Sequence, residues 1–143
     1  MKQQQLQETI DYLKLNGISN PEIGIVLGTG LGKLVHEISI EKEIAYSEIP
    51  NFPTATVEFH SGKLIYGELS GKKVIVMSGR FHLYEGYNLW EVTYGIRTMD
   101  GLGIKNLLIS NAAGAINLSY KKGDLMLIED HLNLQGSSPL AFK

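Results

Sequence analysis

Three short, largely apolar runs, Ile23-Gly24-Ile25-Val26-Leu27, Val74-Ile75-Val76-Met77 and Asn106-Leu107-Leu108-Ile109-Ser110, each break off into small or polar residues. Runs of this length with little polar alternation suit strands covered on both faces, as in parallel sheets. Helical stripes separate them. Leu6, Ile10 and Leu13 recur at helical spacing and Asn16-Gly17 is a stop signal, which predicts an amphipathic helix over 3–16. Leu89, Val92, Ile96 and Met99 mark a second helix, with Asn88 and Glu91 spaced as a capping pair and Gly101 to Gly103 at its end. The expected fold is α/β, a mixed central β-sheet flanked by helices, in a single domain over residues 1–143.

The mixed character comes from Lys63 to Leu69 and Lys72 to Ser78, two strand-like runs separated only by Ser70-Gly71 and therefore predicted to form a tight hairpin. Asp124 to Leu134 alternates after Gly123 and reads as a further strand, while Asn106 to Ser110 reads as a buried one. A short helix is expected after Gly32 toward His36. Residues 40–59 match neither period well. There Pro50 and Pro53 make Ile49 to Pro53 a stiff extended loop that tertiary contacts must hold.

With 43% hydrophobic and 20% charged residues, 143 residues can bury a core, and a net charge of -2 offers no broad basic surface for nucleic acid or anionic membrane. The chain has no cysteine, which removes disulfides, thiolate metal sites and a cysteine nucleophile and is compatible with a reducing compartment. Met1-Lys2-Gln3-Gln4-Gln5 lacks the apolar core of a signal peptide, and no stretch approaches the roughly 20 apolar residues of a membrane span. The cytoplasm is the default expectation.

Chemistry concentrates in the loops after the apolar runs. Gly79-Arg80-Phe81-His82-Leu83-Tyr84-Glu85-Gly86 places a permanent cation, an imidazole, a phenol and a carboxylate close together at a strand exit. The arginine fork and a histidine donor suit an oxyanion such as phosphate. Gly28-Thr29-Gly30-Leu31-Gly32 could turn backbone N–H groups and the Thr29 hydroxyl toward an anion, although read alone it fits a structural turn equally well. It is neither a Walker loop, since Leu27 stands where the first glycine belongs and Leu34 follows Lys33, nor a dinucleotide fingerprint, since Lys33 occupies the third-glycine place. Asn111-Ala112-Ala113-Gly114 admits either tight packing or close backbone approach to a substrate. His60, before Ser61-Gly62, is a ligand-facing or an exposed imidazole. His36, His131, Trp90 and most tyrosines read as structural, and Glu129-Asp130 as a solvated pair.

Taken together, IVLGTGLG at 25–32, EIPNFP at 48–53, GRFHLYEGY at 79–87, SNAAGAIN at 110–117 and GDLMLIEDHLNL at 123–134 resemble the trimeric class of purine nucleoside phosphorylases. The resemblance runs from the first helix to the C-terminus and matches the N-terminal part of that family, whose members continue beyond the position of Lys143. A sheet truncated there is expected to leave an apolar edge open. The resemblance implies reversible phosphorolysis of purine ribo- or deoxyribonucleosides to free base and sugar 1-phosphate, a homotrimer in the complete enzyme, and no metal or organic cofactor, phosphate being a co-substrate. By matching position it assigns phosphate binding to Thr29, His60, Arg80, Phe81, His82 and the backbone of Ala112, a sugar contact to Tyr84, and orientation of the histidine to Glu85, with His82 and Glu85 as the catalytic pair. Thr29 stands where a serine is common, and Ala115-Ile116 where many members have Gly-Leu. The purine-recognising residues of the family fall in its later segment, so an isolated chain lacking them is expected to be inactive.

Three other readings remain open at this level. A methylthioadenosine phosphorylase shares the reaction and differs in its sugar and base pockets. A non-catalytic module would bind phosphate or pair with a complementary chain without turnover. A dinucleotide-dependent oxidoreductase is disfavoured by the broken glycine fingerprint.

Overall fold

The computed structural model describes residues 2–54 and 62–141. Helix α1 (Lys2–Leu15) leads into strand β1 (Ile23–Val26), a 3-10 turn (Gly32–Glu37) and β2 (Ser39–Ala45). Strands β3 (Lys63–Leu69) and β4 (Lys72–Ser78), helix α2 (Leu89–Gly101) and β5 (Asn106–Ile109) follow. The strands form one sheet in the order β2-β3-β4-β1-β5. β2, β3 and β4 are successively antiparallel, whereas β1 lies parallel to both β4 and β5. The sheet is therefore mixed, as its two kinds of sequence run predict.

Local chemistry accounts for the elements. Ser70 (φ 50°) and Gly71 (φ 77°) both take the left-handed backbone that a two-residue hairpin needs, so the β3–β4 turn closes where expected. Asn88 accepts hydrogen bonds from the N–H groups of Trp90 and Glu91, and Glu91 accepts one from the N–H of Asn88, completing a reciprocal cap on α2. Side-chain alternation along the strands divides the core between two faces. Val26, Leu64, Tyr66, Ile75 and Met77 pack with Ile10 and Leu13 of α1 and Tyr94 and Met99 of α2. On the opposite face Ile25, Ile65, Val74 and Val76 pack with Leu27 and Ile38, supported by Leu34 and Val35 from the 3-10 turn.

Three expectations need correction, and one strand was missed. Ile49 to Phe52 is a folded turn rather than an extended loop: Asn51 is left-handed (φ 61°) and the N–H of Phe52 donates to the Ile49 carbonyl at 3.2 Å. It is held from α1, where Thr9 Oγ1 donates to the Pro50 carbonyl at 2.7 Å and receives the Tyr94 hydroxyl at 2.7 Å. β2 was not legible because five of its seven residues are exposed. Its charges instead serve the edge, Glu43 pairing with Lys63 at 2.7 Å and Glu41 with Lys73. β5 forms where predicted, yet all four of its residues are exposed, because among the described residues nothing covers its outer side. Finally, residues 124–134 form no strand. They run exposed, without a ladder partner to satisfy their backbone, so their alternation has nothing to act on.

Candidate functional site

β4, β1 and β5 run parallel with Val26 beside Met77 on one side and Ile109 on the other. Their carboxyl ends thus emerge together at one end of the sheet, and the loops after them become neighbours. β1 sits between strands that follow it on either side, the arrangement that opens a crevice beyond the strand ends in α/β sheets. A cleft of about 430 Å³ occupies that place, lined by Thr29, Arg80, His82, Tyr84 and Glu85 together with backbone of Gly28, Gly30 and Gly79.

The Arg80 side chain is fixed from two directions. Nη1 donates to the Ser110 carbonyl at 2.7 Å and Nε donates to His82 Nε2 at 2.9 Å. A guanidinium nitrogen can only donate, so His82 Nε2 is the acceptor and its ring proton sits on Nδ1, facing the Glu85 carboxylate. The turn Leu83–Glu85 carries Glu85 back to the Nδ1 edge of the imidazole. On its flat side His82 stacks against Tyr84, with ring centroids 4.7 Å apart and planes 17° from parallel, while Tyr84 itself is 83% exposed. The result is a chain of partners, Ser110 carbonyl to Arg80 to His82 to Glu85, and among the described residues the remaining guanidinium donors have no partner.

Extended backbone at His82 explains why alternate side chains part company. Arg80 and His82 face the cleft, and Phe81 points into the core against Tyr87 (5.1 Å), Tyr46 (5.5 Å) and Phe52 (6.1 Å). Any contact of Phe81 with an anion would therefore come from its backbone. The buried Tyr46 hydroxyl donates to the Gly79 carbonyl at 2.7 Å and anchors the start of the arginine loop; burial raises that phenol's pKa above the ordinary value of 10.0.

The glycine loop touches the third loop directly. Gly28 N–H donates to Ser110 Oγ at 2.9 Å, and a Cβ at Gly28 would lie 2.4 Å from the Ser110 carbonyl oxygen and 2.9 Å from Asn111 Cα. Only glycine permits that approach. Ala112 follows this contact and is exposed; it is not among the described residues lining the cleft. His60 lies outside the described residues. His36 and His131 are exposed and away from the cleft, and Glu129 and Asp130 are exposed as expected of a solvated pair. Sequence reasoning did not single out Ser110 or Tyr46. The available signal was position: Ser110 is the polar residue that ends the third apolar run, and Tyr46 stands just ahead of the proline-rich turn.

Another groove, of about 420 Å³, lies between α2 and β5, and there Arg97 is already engaged with the Pro139 carbonyl at 3.2 Å. It lacks the convergence of imidazole, carboxylate and hydroxyl seen at the strand ends. Among the described residues no group of three or more His, Cys, Asp or Glu side chains is placed to hold a metal ion. Nor is any described helix long and apolar enough to cross a membrane.

Residues 22–143 match the model of the Phosphorylase superfamily. A protein named purine nucleoside phosphorylase 1 from Geobacillus stearothermophilus is 48% identical over 140 residues, covering 98% of this chain and 51% of the relative. The purine nucleoside phosphorylase of Bos taurus is 44% identical over 132 residues, covering 92% and 46%. Among solved structures, a purine nucleoside phosphorylase in complex with ribose-1-phosphate superposes with a TM-score of 0.78 at 50% identity, over 83% of this chain and 44% of that one. The Schistosoma mansoni enzyme in complex with acetate gives 0.79 at 48% identity, over 85% and 44%. The chain spans about half the length of the curated relatives it matches. With the cleft at the ends of its parallel strands and a family match over most of its length, the chain belongs to the Phosphorylase superfamily.

Proposed function

We propose that this chain carries the phosphate-handling part of a purine nucleoside phosphorylase, which splits purine ribo- or deoxyribonucleosides into free base and sugar 1-phosphate. The observation that carries the reading is the Arg80–His82–Glu85 chain lining the strand-end cleft, which Thr29 also lines. A phosphate oxygen forms a bond to the anomeric carbon while the bond from that carbon to the purine nitrogen breaks, its electron pair leaving with the base. The sugar becomes cationic on the way, so the work of the site is to hold an anion beneath it. Arg80 and the Thr29 hydroxyl supply donors. An incoming dianion takes the Nε–H of Arg80 away from His82, whose Nδ1 side stays engaged with Glu85. By resemblance, His60 and the Ala112 backbone complete the phosphate set and Tyr84 meets the sugar.

The similar structures bound to ribose-1-phosphate and to purines support the substrate class. The same reading includes phosphate as co-substrate without a separate cofactor, a homotrimer for the complete enzyme, a cytoplasmic setting and a role in purine salvage. Phosphorolysis of inosine and guanosine should be measured on this chain and on a version extended with the remaining half of the Geobacillus stearothermophilus relative. Release of base that requires phosphate in the extended form is the expected result, and its absence there refutes the assignment.

A further inference from the structure

We infer that Ser110 is the positioning residue that clips the glycine loop and the arginine loop into one anion cradle, a role that deepens the phosphate-site reading and rests on it. Ser110 is the point where all three loops meet. Its carbonyl accepts from Arg80 Nη1 at 2.7 Å, and its Oγ accepts from the N–H of Gly28 at 2.9 Å. The hydroxyl proton is turned the other way, to the Val26 carbonyl at 3.3 Å at the end of β1, and the Ser110 N–H donates to that carbonyl at 3.2 Å. One residue therefore uses its donor and acceptor groups to tie the exits of β1, β4 and β5.

The side chain and the backbone divide the task. Backbone contacts to Arg80 and Val26 survive any substitution that leaves β5 in place. The Gly28 N–H depends on Oγ: without it, a partly buried donor loses its partner, and the loop that presents Thr29 is released at its first residue. Gly28 also packs so close to Ser110 that a shift at one must move the other. Coupling between Thr29 and Arg80, which do not otherwise share an element, passes through this contact. Ser110 does not itself line the cleft, so it acts by placing the groups that do.

The test uses the whole chain, inorganic phosphate as probe, and the variants Ser110→Ala and Ser110→Thr. Ser110→Ala should speed hydrogen exchange at the Gly28 amide and weaken phosphate binding about tenfold, the loss expected for one hydrogen bond. Ser110→Thr keeps an Oγ and should restore both. Amides of the β3–β4 hairpin should keep their protection in both variants. Unchanged Gly28 exchange and phosphate affinity in Ser110→Ala would overturn the inference, and so would loss of protection throughout the hairpin, which would make Ser110 a residue of general stability. If the wild-type chain binds no phosphate, the proposed function fails, and Gly28 exchange alone then decides the role of Ser110.

Discussion

The loop after β4 and the chain after β5 carry similar densities of sequence signal, yet they behave as opposites. Between Gly79 and Tyr87 most side chains are tied down: Tyr46 holds the entry, Phe81 and Tyr87 pack against core rings, and Arg80, His82 and Glu85 are linked in series, with Tyr84 left exposed. From Ile116 to Leu134 apolar side chains stand in solvent, Leu118 completely and Leu125 and Leu127 at 95%. The difference is not composition. β4 lies between two strands and under two helices, whereas β5 has a single neighbour, β1. A periodic run becomes a strand only where another backbone pairs with it, and a polar cluster becomes a site only where packing removes its freedom.

This contrast can be broken most directly by truncating one buried and one exposed aliphatic residue. Ile75 is fully buried in the centre of the sheet, so Ile75→Ala should cost about 2–5 kcal/mol. Leu127→Ala should change stability by no more than about 0.5 kcal/mol. Urea titrations followed by circular dichroism measure both, and equal losses would mean that residues 124–134 are packed after all.

A smaller effect sharpens the functional side. Arg80→Ala removes the charge from the wired loop, and phosphate affinity measured by calorimetry should fall by about 1.5–3 kcal/mol, as for loss of a charged hydrogen-bonding contact. Identical heats in variant and wild type would move the anion site away from the cleft.

The smallest concerns the anchor. Tyr46→Phe leaves the Gly79 carbonyl without its donor and should cost about 0.5–1.5 kcal/mol at neutral pH. The pH dependence has a definite sign. Because burial raises the folded-state pKa above the ordinary 10.0, the stability this phenol contributes is complete below pH 10 and declines as pH rises above it, where the unfolded chain ionises first. Tyr94 adds in the same direction. Urea midpoints across that range should fall less steeply in Tyr46→Phe than in wild type; parallel curves would remove Tyr46 from the alkaline response.

What could be read from sequence was whatever local chemistry decides. Ser70-Gly71 encodes its own turn, Asn88 and Glu91 their own cap, and the position of Arg80 just beyond an apolar run its place at a strand exit. Where tertiary context decides, reading stopped. The charges of Ser39–Ala45 conceal a strand because an edge needs no apolar face on its solvent side. Nothing in Phe81 distinguishes it from its neighbours until the extended backbone turns it inward. Ser110 gained importance only through the parallel register that brings it beside Gly28, a relation between residues far apart in the chain.

That register has a thermodynamic corollary. β2, β3 and β4 can assemble from neighbours in sequence, while seating β1 between β4 and β5 closes much longer spans of chain, whose entropy cost grows with length. Fluctuations that unseat β1 would therefore erase the strand-end cleft while leaving the antiparallel strands intact, so the cleft persists only as long as the sheet's most distant described pairings do.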